Sequence, residues 1–322
     1  MKKELSYYEK LIMIDEIKSI FEKELTARLD LIKIPCPLFV KSSSGLQDEL
    51  SGIEKSVSFM KEKEKFEIVH SLAKWKREVL GRYGFKPYKG ILTRMKAIRK
   101  DEIIDDIHSM YVEQWDWEKV IKKEDRTIDY LKDTVKSIYK AIRQTVIIMR
   151  KRYPFLDVSL PKTISFITSQ ELEDMYPDKK PKEREELITK EKEAVFIIGI
   201  GDKLKSGVTH DKRSPDYDDW KLDGDLLIYD KIIGKAMELT SMGIRVDKDS
   251  LLEQLKKSHT EDRLTLLYHQ KIVREELPYT IGGGIGESRI VMLILGAKHI
   301  GEVQASSWQE ETLVELTDLS IL

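Results

Sequence analysis

The sequence has a single cysteine, Cys36, so neither an internal disulfide nor a cluster of cysteine metal ligands can form within the chain. Long apolar runs are also missing: the longest, residues 290–295, is far too short to span a membrane, and the N-terminus lacks the apolar stretch of a signal peptide. Neither sign of charge dominates, because 56 basic and 57 acidic side chains give a net charge of -1. We therefore expect a cytoplasmic protein without membrane or nucleic-acid partners.

Two common nucleotide-binding signatures are absent as well. The glycine-rich residues 282–289 do not fit the Gly-x-Gly-x-x-Gly pattern, and no Gly-x-x-x-x-Gly-Lys-Ser/Thr occurs. Glycines do, however, let a backbone approach a ligand where any Cβ would clash, and Arg289 offers a planar, permanently charged group to a phosphate. Spaced glycines followed by an arginine and an apolar helix indicate an adenine-nucleotide site. A turn kept for packing alone is the alternative.

Apolar periodicity predicts two long helices, one over residues 5–30 and one over residues 128–149 that stops before Pro154. A β-prone segment at 31–34 follows the first helix. The other predicted strands are short and apolar, at 66–70, 109–114, 163–168, 195–200, 226–229 and 279–283. Runs of strands beside separate helices favour an α+β fold with an antiparallel or mixed sheet. We expect a single domain over residues 1–322, with the charged stretch 178–192 as a partly helical surface insertion.

Three segments occur in an informative order. A long helix leads into a proline-ended strand at 10–37, an arginine-bearing strand and loop occupy 92–117, and the glycine-arginine string lies at 281–295. This order resembles motifs 1, 2 and 3 of the class II aminoacyl-tRNA synthetases. Within that superfamily the chain resembles the ammonia-dependent asparagine synthetases. The similarity extends over nearly the whole chain, and five strings carry it: residues 47–52, 70–77, 215–220, 238–245 and 280–304.

The resemblance implies a class II synthetase-like catalytic core, with an antiparallel or mixed sheet flanked by helices. It also implies a reaction in which ATP and magnesium activate the side-chain carboxylate of aspartate as β-aspartyl-AMP, and ammonia then displaces AMP. A homodimer formed through motif 1 would be expected, because an edge strand is protected when its symmetry mate covers it.

Site residues follow from the same resemblance and from the charges that this reaction needs. Arg99 and Arg289 would bind the phosphate, because an arginine fork matches phosphate oxygens. Asp48 would take a proton from ammonium. The catalytic set is Asp48, Arg99, Gln114 and Arg289. The aspartate-binding set is Ser71, Lys76, Gln114, Asp218, Ser241 and Arg245. The ATP-binding set is Arg99, His108, Ser109, Asp116, Asp225, Glu238, Gly286 and Arg289.

Magnesium would be bound by Asp225 and Glu238, since this ion takes oxygen ligands and is usually held by one or two carboxylates together with phosphate. Both could instead be ordinary exposed carboxylates, and Lys76 could lie on a helix surface with Lys74 and Arg77. Another class of function also stays open: an aspartyl- or asparaginyl-tRNA synthetase paralogue acting as a regulatory or RNA-binding module. Such proteins often lose site arginines, whereas Arg99 and Arg289 are both present here.

Overall fold

The computed structural model describes residues 5–50, 52, 54–316, 319 and 321–322. Its centre is a mixed eight-stranded sheet with the order β1-β5-β6-β11-β10-β9-β8-β7. The pairs β1/β5 and β7/β8 are parallel, and the pairs between them are antiparallel. The strands are β1 (Leu31–Lys33), β5 (Gly90–Ile98), β6 (Tyr111–Val120), β7 (Ser165–Thr168), β8 (Ala194–Ile198), β9 (Asp218–Asp230), β10 (Lys235–Arg245) and β11 (Thr280–Gly286).

A small antiparallel sheet and the helices complete the fold. The small sheet has the order β2-β4-β3, with β2 at Phe39–Lys41, β3 at Ser58–Lys61 and β4 at Glu64–Ile68. The helices are α1 (Tyr7–Leu29), α2 (Ala73–Arg82), α3 (Ile128–Arg152), α4 (Ser169–Met175), α5 (Pro181–Lys192), α6 (Lys248–Ser258), α7 (Leu267–Val273), α8 (Glu287–Leu295) and α9 (Glu310–Glu315). The prediction of an α+β fold with a mixed sheet is confirmed.

The two long predicted helices are α1 and α3, and they pack against each other. Ser6 caps the first through a capping box with Glu9, and Thr127 caps the second. The apolar stripes of both helices join one large core with the inner face of the sheet, where Trp115 and Trp117 are fully buried. One face of the central strands is therefore committed to the core, and the opposite face is available for the site.

Two sequence-based expectations need correction. Strand β10 was not among the strands predicted from short apolar runs. Strand β9 is much longer than the predicted 226–229, because the polar residues in its first half interrupt the apolar pattern on which the prediction relied. The stretch 178–192 is not a peripheral insertion, since most of it forms α5, which packs against β8, β9 and β10. Its Arg184, Glu185, Ile188 and Thr189 are buried, so this helix is part of the sheet's covering layer.

Candidate active site

A cleft of about 500 Å³ lies over the second face of the sheet, above β6, β11 and β10 and the start of β9. The strand register explains why this face is polar. Gln114, Asp116 and Glu118 alternate along β6 with the buried tryptophans, and each pairs with a glycine of β11. Ser241 and Arg245 continue the polar face on β10. The alternation of strand side chains thus places polar side chains of β6 and β10 on one face of the sheet, on either side of the glycines of β11.

The glycines of β11 make room mainly for this chain's own side chains. A Cβ at Gly282 would overlap the Glu118 carboxylate and come within 2.6 Å of Arg245 Nη2. At Gly284 it would lie 2.5 Å from Gln114 Oε1. Both glycines therefore let site side chains cross the strand, whereas the sequence had suggested close approach of a ligand. Gly286 is different: it lines the cleft and precedes the first turn of α8.

The two predicted arginines open onto this one cleft although they are far apart in the chain. Arg99 follows β5, and its Nη2 donates to the His70 carbonyl at 3.4 Å, while its buried Nε has no protein partner. Arg289 comes from the first turn of α8 and donates from Nη1 to the Glu238 carbonyl at 2.8 Å and from Nε to the Ile107 carbonyl at 3.3 Å. Burial raises the pKa of Glu238, but the positive charges of Arg289 and Lys182 outweigh burial and leave that pKa below its usual value.

Aspartates of β9 share a small number of cations at the edge of the cleft. Arg213 donates to Asp225 Oδ1 at 2.7 Å and approaches Asp223 at 3.5 Å, and Arg245 bonds to Asp218. Burial raises the pKa of Asp225 to about 6, although Arg213 acts in the opposite direction. Burial likewise raises the pKa of Asp218 and Asp223. These carboxylates are more numerous than the arginines that compensate them, so this edge attracts positive charge.

Two of the predicted site residues do not line the cleft. Lys76 is fully buried beneath it, where its ammonium bonds to Asp116 and donates to the Trp117 carbonyl at 2.9 Å and the Gly283 carbonyl at 3.2 Å. Burial lowers the pKa of Lys76, while the Asp116 and Glu118 carboxylates oppose that shift. Its contacts join α2 to the sheet, so the structure gives it a supporting position. Asp225, the other exception, is bonded to Arg213, which does line the cleft.

The predicted base and one predicted hydrogen-bond donor are in direct contact. Ser71 Oγ donates to Asp48 Oδ2 at 2.6 Å, and the Leu50 amide donates to Asp48 Oδ1 at 2.8 Å. Both side chains line the cleft, and Asp48 is almost completely buried. Gln114 lines the cleft from β6. Within the string 47–52, residue 51 lies outside the described residues.

The remaining predicted residues line the cleft with partners of their own. His108 contacts Asp105 Oδ1 through Nδ1 at 2.7 Å. Ser109 is buried and donates to Gln304 Oε1 at 2.5 Å. Ser241 accepts a hydrogen bond from Arg213. Arg245 is held by Glu118 at 2.7 to 3.1 Å and by Asp218, so its guanidinium has a fixed position in the wall of the cleft.

Sequence reasoning missed three cations that line the cleft, Lys182, Lys212 and Arg213. Arg213 stands two residues before the string 215–220 that carried part of the family resemblance, and that proximity was the available signal. Lys182 was hidden by the interpretation of its segment as peripheral. It lies near the start of α5, pairs with Glu185 at 3.0 Å, and keeps 70% of its side chain exposed.

Oxygen ligands for a magnesium ion are present at the acidic edge. Glu238 and Asp225 lie on the neighbouring strands β10 and β9, and the charge of Glu238 is one of the influences that raise the pKa of Asp225. Asp223 Oδ2 is buried without a hydrogen-bond partner. Among the residues that the structure describes, no group of three or more His, Cys, Asp or Glu side chains forms a metal cage. These residues fit an ion that arrives with nucleotide phosphates, because magnesium then needs only one or two carboxylates.

Comparison with known proteins gives a consistent result. A family model described as aspartate-ammonia ligase matches residues 8–320. An aspartate–ammonia ligase of Clostridium tetani is 53% identical over 97% of this chain and 92% of its own length. One of Clostridium perfringens is 56% identical over 96% of this chain and 93% of its own length.

Solved structures of similar fold include asparaginyl-tRNA synthetases in complex with asparaginyl-adenylate. The Pyrococcus horikoshii enzyme has a TM-score of 0.66 at 14% identity, with 92% of this chain and 68% of that chain covered. The Entamoeba histolytica enzyme has a TM-score of 0.64 at 17% identity, with 92% and 66% covered. This chain therefore spans about two thirds of each, and the likeness shows a class II synthetase fold. Within the described residues, no helix has both the length and the apolar character needed to cross a membrane.

Proposed function

This chain belongs to the aspartate–ammonia ligase family, and on that premise we propose that its cleft converts L-aspartate, ammonia and ATP to L-asparagine, AMP and pyrophosphate through β-aspartyl-AMP. The observation that carries the proposal is the shared opening of Arg99 and Arg289 onto one cavity. No observation favours the alternative of a regulatory or RNA-binding module.

In the first half-reaction a side-chain carboxylate oxygen of aspartate attacks the α-phosphorus of ATP, and the bond to pyrophosphate breaks. Two anions must approach each other, so fixed positive groups at the phosphorus lower the barrier most. Arg99 and Arg289, which are far apart in the sequence, supply those groups. Backbone carbonyls accept hydrogen bonds from both guanidinium groups and hold them in place. The same cleft is lined by Gly286, His108 and Ser109, which we assign to the binding of the nucleotide.

Recognition of aspartate needs a cation for its α-carboxylate and an anion for its ammonium. Arg245 and Asp218 lie side by side in the cleft and supply both charges, with Ser241 and Gln114 as hydrogen-bond donors. Asp116 and Lys76 support this floor from below through their mutual ion pair. The predicted role of Lys76 as a direct clamp is the least supported of the set, because no part of its side chain is exposed.

In the second half-reaction ammonia attacks the acyl carbon of β-aspartyl-AMP, and AMP leaves. Most ammonia is protonated at neutral pH, so a base must first remove one proton from ammonium. We assign this base to Asp48, whose carboxylate lines the cleft and accepts hydrogen bonds from Ser71 and from the Leu50 amide. Those bonds leave the carboxylate fixed in direction, as proton transfer requires.

Magnesium belongs to the same proposal. Glu238 and Asp225 would hold it, and Asp223 adds negative charge beside them. When bound, the ion would neutralise phosphate charge and orient the pyrophosphate leaving group. The raised pKa of the β9 carboxylates supports this assignment, because clustered buried acids are stabilised in their charged form by a bound cation.

The proposed assembly is a cytoplasmic homodimer. Strand β1 lies at the edge of the large sheet, and Ile32 on it is 55% exposed. Tyr7, Tyr8 and Leu11 of the preceding helix are also exposed apolar residues. Light scattering at micromolar concentration should give twice the monomer mass of 37.6 kDa. A monomer under those conditions contradicts this part of the proposal.

One reaction series tests the activity. Purified protein is incubated with ATP, magnesium and aspartate, and with ammonia, glutamine or tRNA as acceptor, and AMP and asparagine are measured. We expect both products with ammonia alone. Substitution Asp48→Asn should leave aspartate-dependent exchange of pyrophosphate into ATP nearly intact while slowing asparagine release. Equal loss of both half-reactions would remove Asp48 as the base, and absence of AMP with every acceptor would remove the ligase activity.

A further inference from the structure

A buried charge network lies beside the turn that carries Asp48, and among its members Ser214 lines the cleft. Its centre is Asp216, whose carboxylate accepts hydrogen bonds from Lys74 Nζ at 2.6 Å, Arg263 Nη1 at 3.0 Å and Ser214 Oγ at 2.8 Å, and contacts His269 Nε2 at 2.8 Å. Asp216 and His269 are completely buried. Nothing in the proposed chemistry uses this network, although ordering so many buried polar groups is costly unless they are fully paired.

The network reaches the turn that carries Asp48 through one side chain, Arg263. Arg263 Nη1 donates to Asp216, and its Nη2 donates to Glu49, the residue next to Asp48. A guanidinium can bridge two carboxylates because its donors point in fixed, different directions, whereas the ammonium of a lysine is a single point of charge. Arg263 therefore links the partly exposed Glu49 to the completely buried Asp216.

The turn beside this tie has an unfavourable backbone. Leu50 has φ of 50°, in the left-handed region that non-glycine residues rarely adopt, and it lines the cleft. The turn is closed by the Leu50 amide on Asp48 Oδ1 and by the Gly52 amide on the Glu49 carbonyl at 2.7 Å. Before Asp48 the backbone is held by Gln47, whose Oε1 accepts from the Asp48 amide at 3.0 Å. After Asp48, two side-chain contacts hold it: His70 Nδ1 lies 3.0 Å from the Asp48 carbonyl oxygen, and Glu49 forms an ion pair with Arg263.

We propose that Arg263 and Glu49 are positioning residues for the ammonia half-reaction: they hold the strained turn so that the Asp48 carboxylate faces the acyl carbon. This inference rests on the proposed role of Asp48. It separates the two half-reactions, because neither Arg263 nor Glu49 lines the part of the cleft bounded by Arg99 and Arg289. A turn that relaxes should leave adenylate formation intact and misplace only the base.

The test compares Glu49→Ala, Arg263→Lys and the double variant with the wild type. The Arg263→Lys change keeps a positive charge beside Asp216 but removes the guanidinium, whose two terminal nitrogens contact Asp216 and Glu49 at once. The matched control is Glu253→Ala, which removes an ion-paired glutamate of similar exposure, 44% against 52%, far from the cleft. Three quantities are measured: aspartate-dependent exchange of pyrophosphate into ATP, asparagine formation as ammonium is varied, and the midpoint of thermal unfolding.

We expect exchange within about twofold of wild type and kcat/KM for ammonium reduced roughly 10- to 100-fold in both single variants, as a misplacement of about 1 Å produces. The double variant should be no slower than the slower single, because both changes break the same contact. Glu253→Ala should resemble wild type in all three measurements. Unchanged asparagine formation in Glu49→Ala and Arg263→Lys, or an equal fall in exchange and asparagine formation, would overturn the positioning role. Absence of exchange in the wild type would instead overturn the proposed function itself.

Discussion

Replacing Gly282 by alanine tests the arrangement on which the whole floor of the cleft depends. The added methyl group would occupy the space of the Glu118 carboxylate and lie 2.6 Å from Arg245 Nη2. Neither side chain can move aside, because Glu118 and Arg245 are 0% and 1% exposed and are joined at 2.7 to 3.1 Å. Breaking a buried ion pair without replacing it costs about 3–5 kcal/mol.

At roughly 2–4 °C per kcal/mol for a chain of this size, the melting temperature of Gly282→Ala should fall by about 10 °C. Calorimetry measures that fall, and pyrophosphate exchange should be lost in parallel because Arg245 no longer faces the cleft. The control is Gly286→Ala on the same strand, where the nearest atom to the new Cβ is Arg289 Cβ at 3.6 Å. Its cost should stay below about 1 kcal/mol, as for alanine at a helix N-cap. If Gly282→Ala melts within 2 °C of wild type, the packing argument is wrong.

Further predictions concern the cations of the cleft and the buried anchor. Arg289→Lys should lower the rate of pyrophosphate exchange about 100-fold with unchanged unfolding, because the fork that matches phosphate is lost; a loss below threefold contradicts this. Lys182→Ala should raise KM for ATP about fivefold, equivalent to about 1 kcal/mol for an exposed charge, while the control Lys190→Ala, on the outer side of α5, leaves KM unchanged. The pKa of Asp216 lies well below its usual value because Lys74, His269 and Arg263 outweigh burial, which raises it. Its stabilisation is therefore present above about pH 4 and lost as the pH falls through the folded pKa. Asp216→Asn should be less stable than wild type in urea at pH 7, with a difference that shrinks below about pH 4; a constant difference would refute the assignment.

The long helices, the class of fold and the two arginines that open onto the cleft could be predicted from the sequence. Helices α1 and α3 could be predicted because their buried residues recur every three or four positions, a pattern that is visible in the sequence alone. The order of the strands in the sheet could not be predicted, because no local sequence pattern indicates that β11 lies between β6 and β10. The family resemblance supplied the expectation that residues far apart in the chain would meet.

Strand β10 was missed because strand prediction assumes an apolar buried face. Glu238, Ser241 and Arg245 lie in β10, and their side chains line the cleft and do not face bulk solvent. The strand therefore lacks the usual alternation of apolar residues and exposed polar residues. The same reason hid much of β9, where Asp223 and Asp225 alternate with Leu222, Gly224 and Leu226. Functional strands depart from the ordinary pattern because their buried polar groups serve a ligand.

The acidic edge of β9 gives the strongest physical reason to regard this cleft as a binding site and not as a packing defect. Buried carboxylates whose pKa is raised lower the stability of the protein at neutral pH, and replacing them with apolar residues would be expected to stabilise the fold. Arg213 and Arg245 offset only part of their charge. In the proposed reaction, the ammonium of aspartate and a nucleotide-bound magnesium ion would bring the remaining positive charge to this edge. Under that proposal the surplus of negative charge would favour binding of both positively charged groups, which would account for side chains that the fold alone does not require.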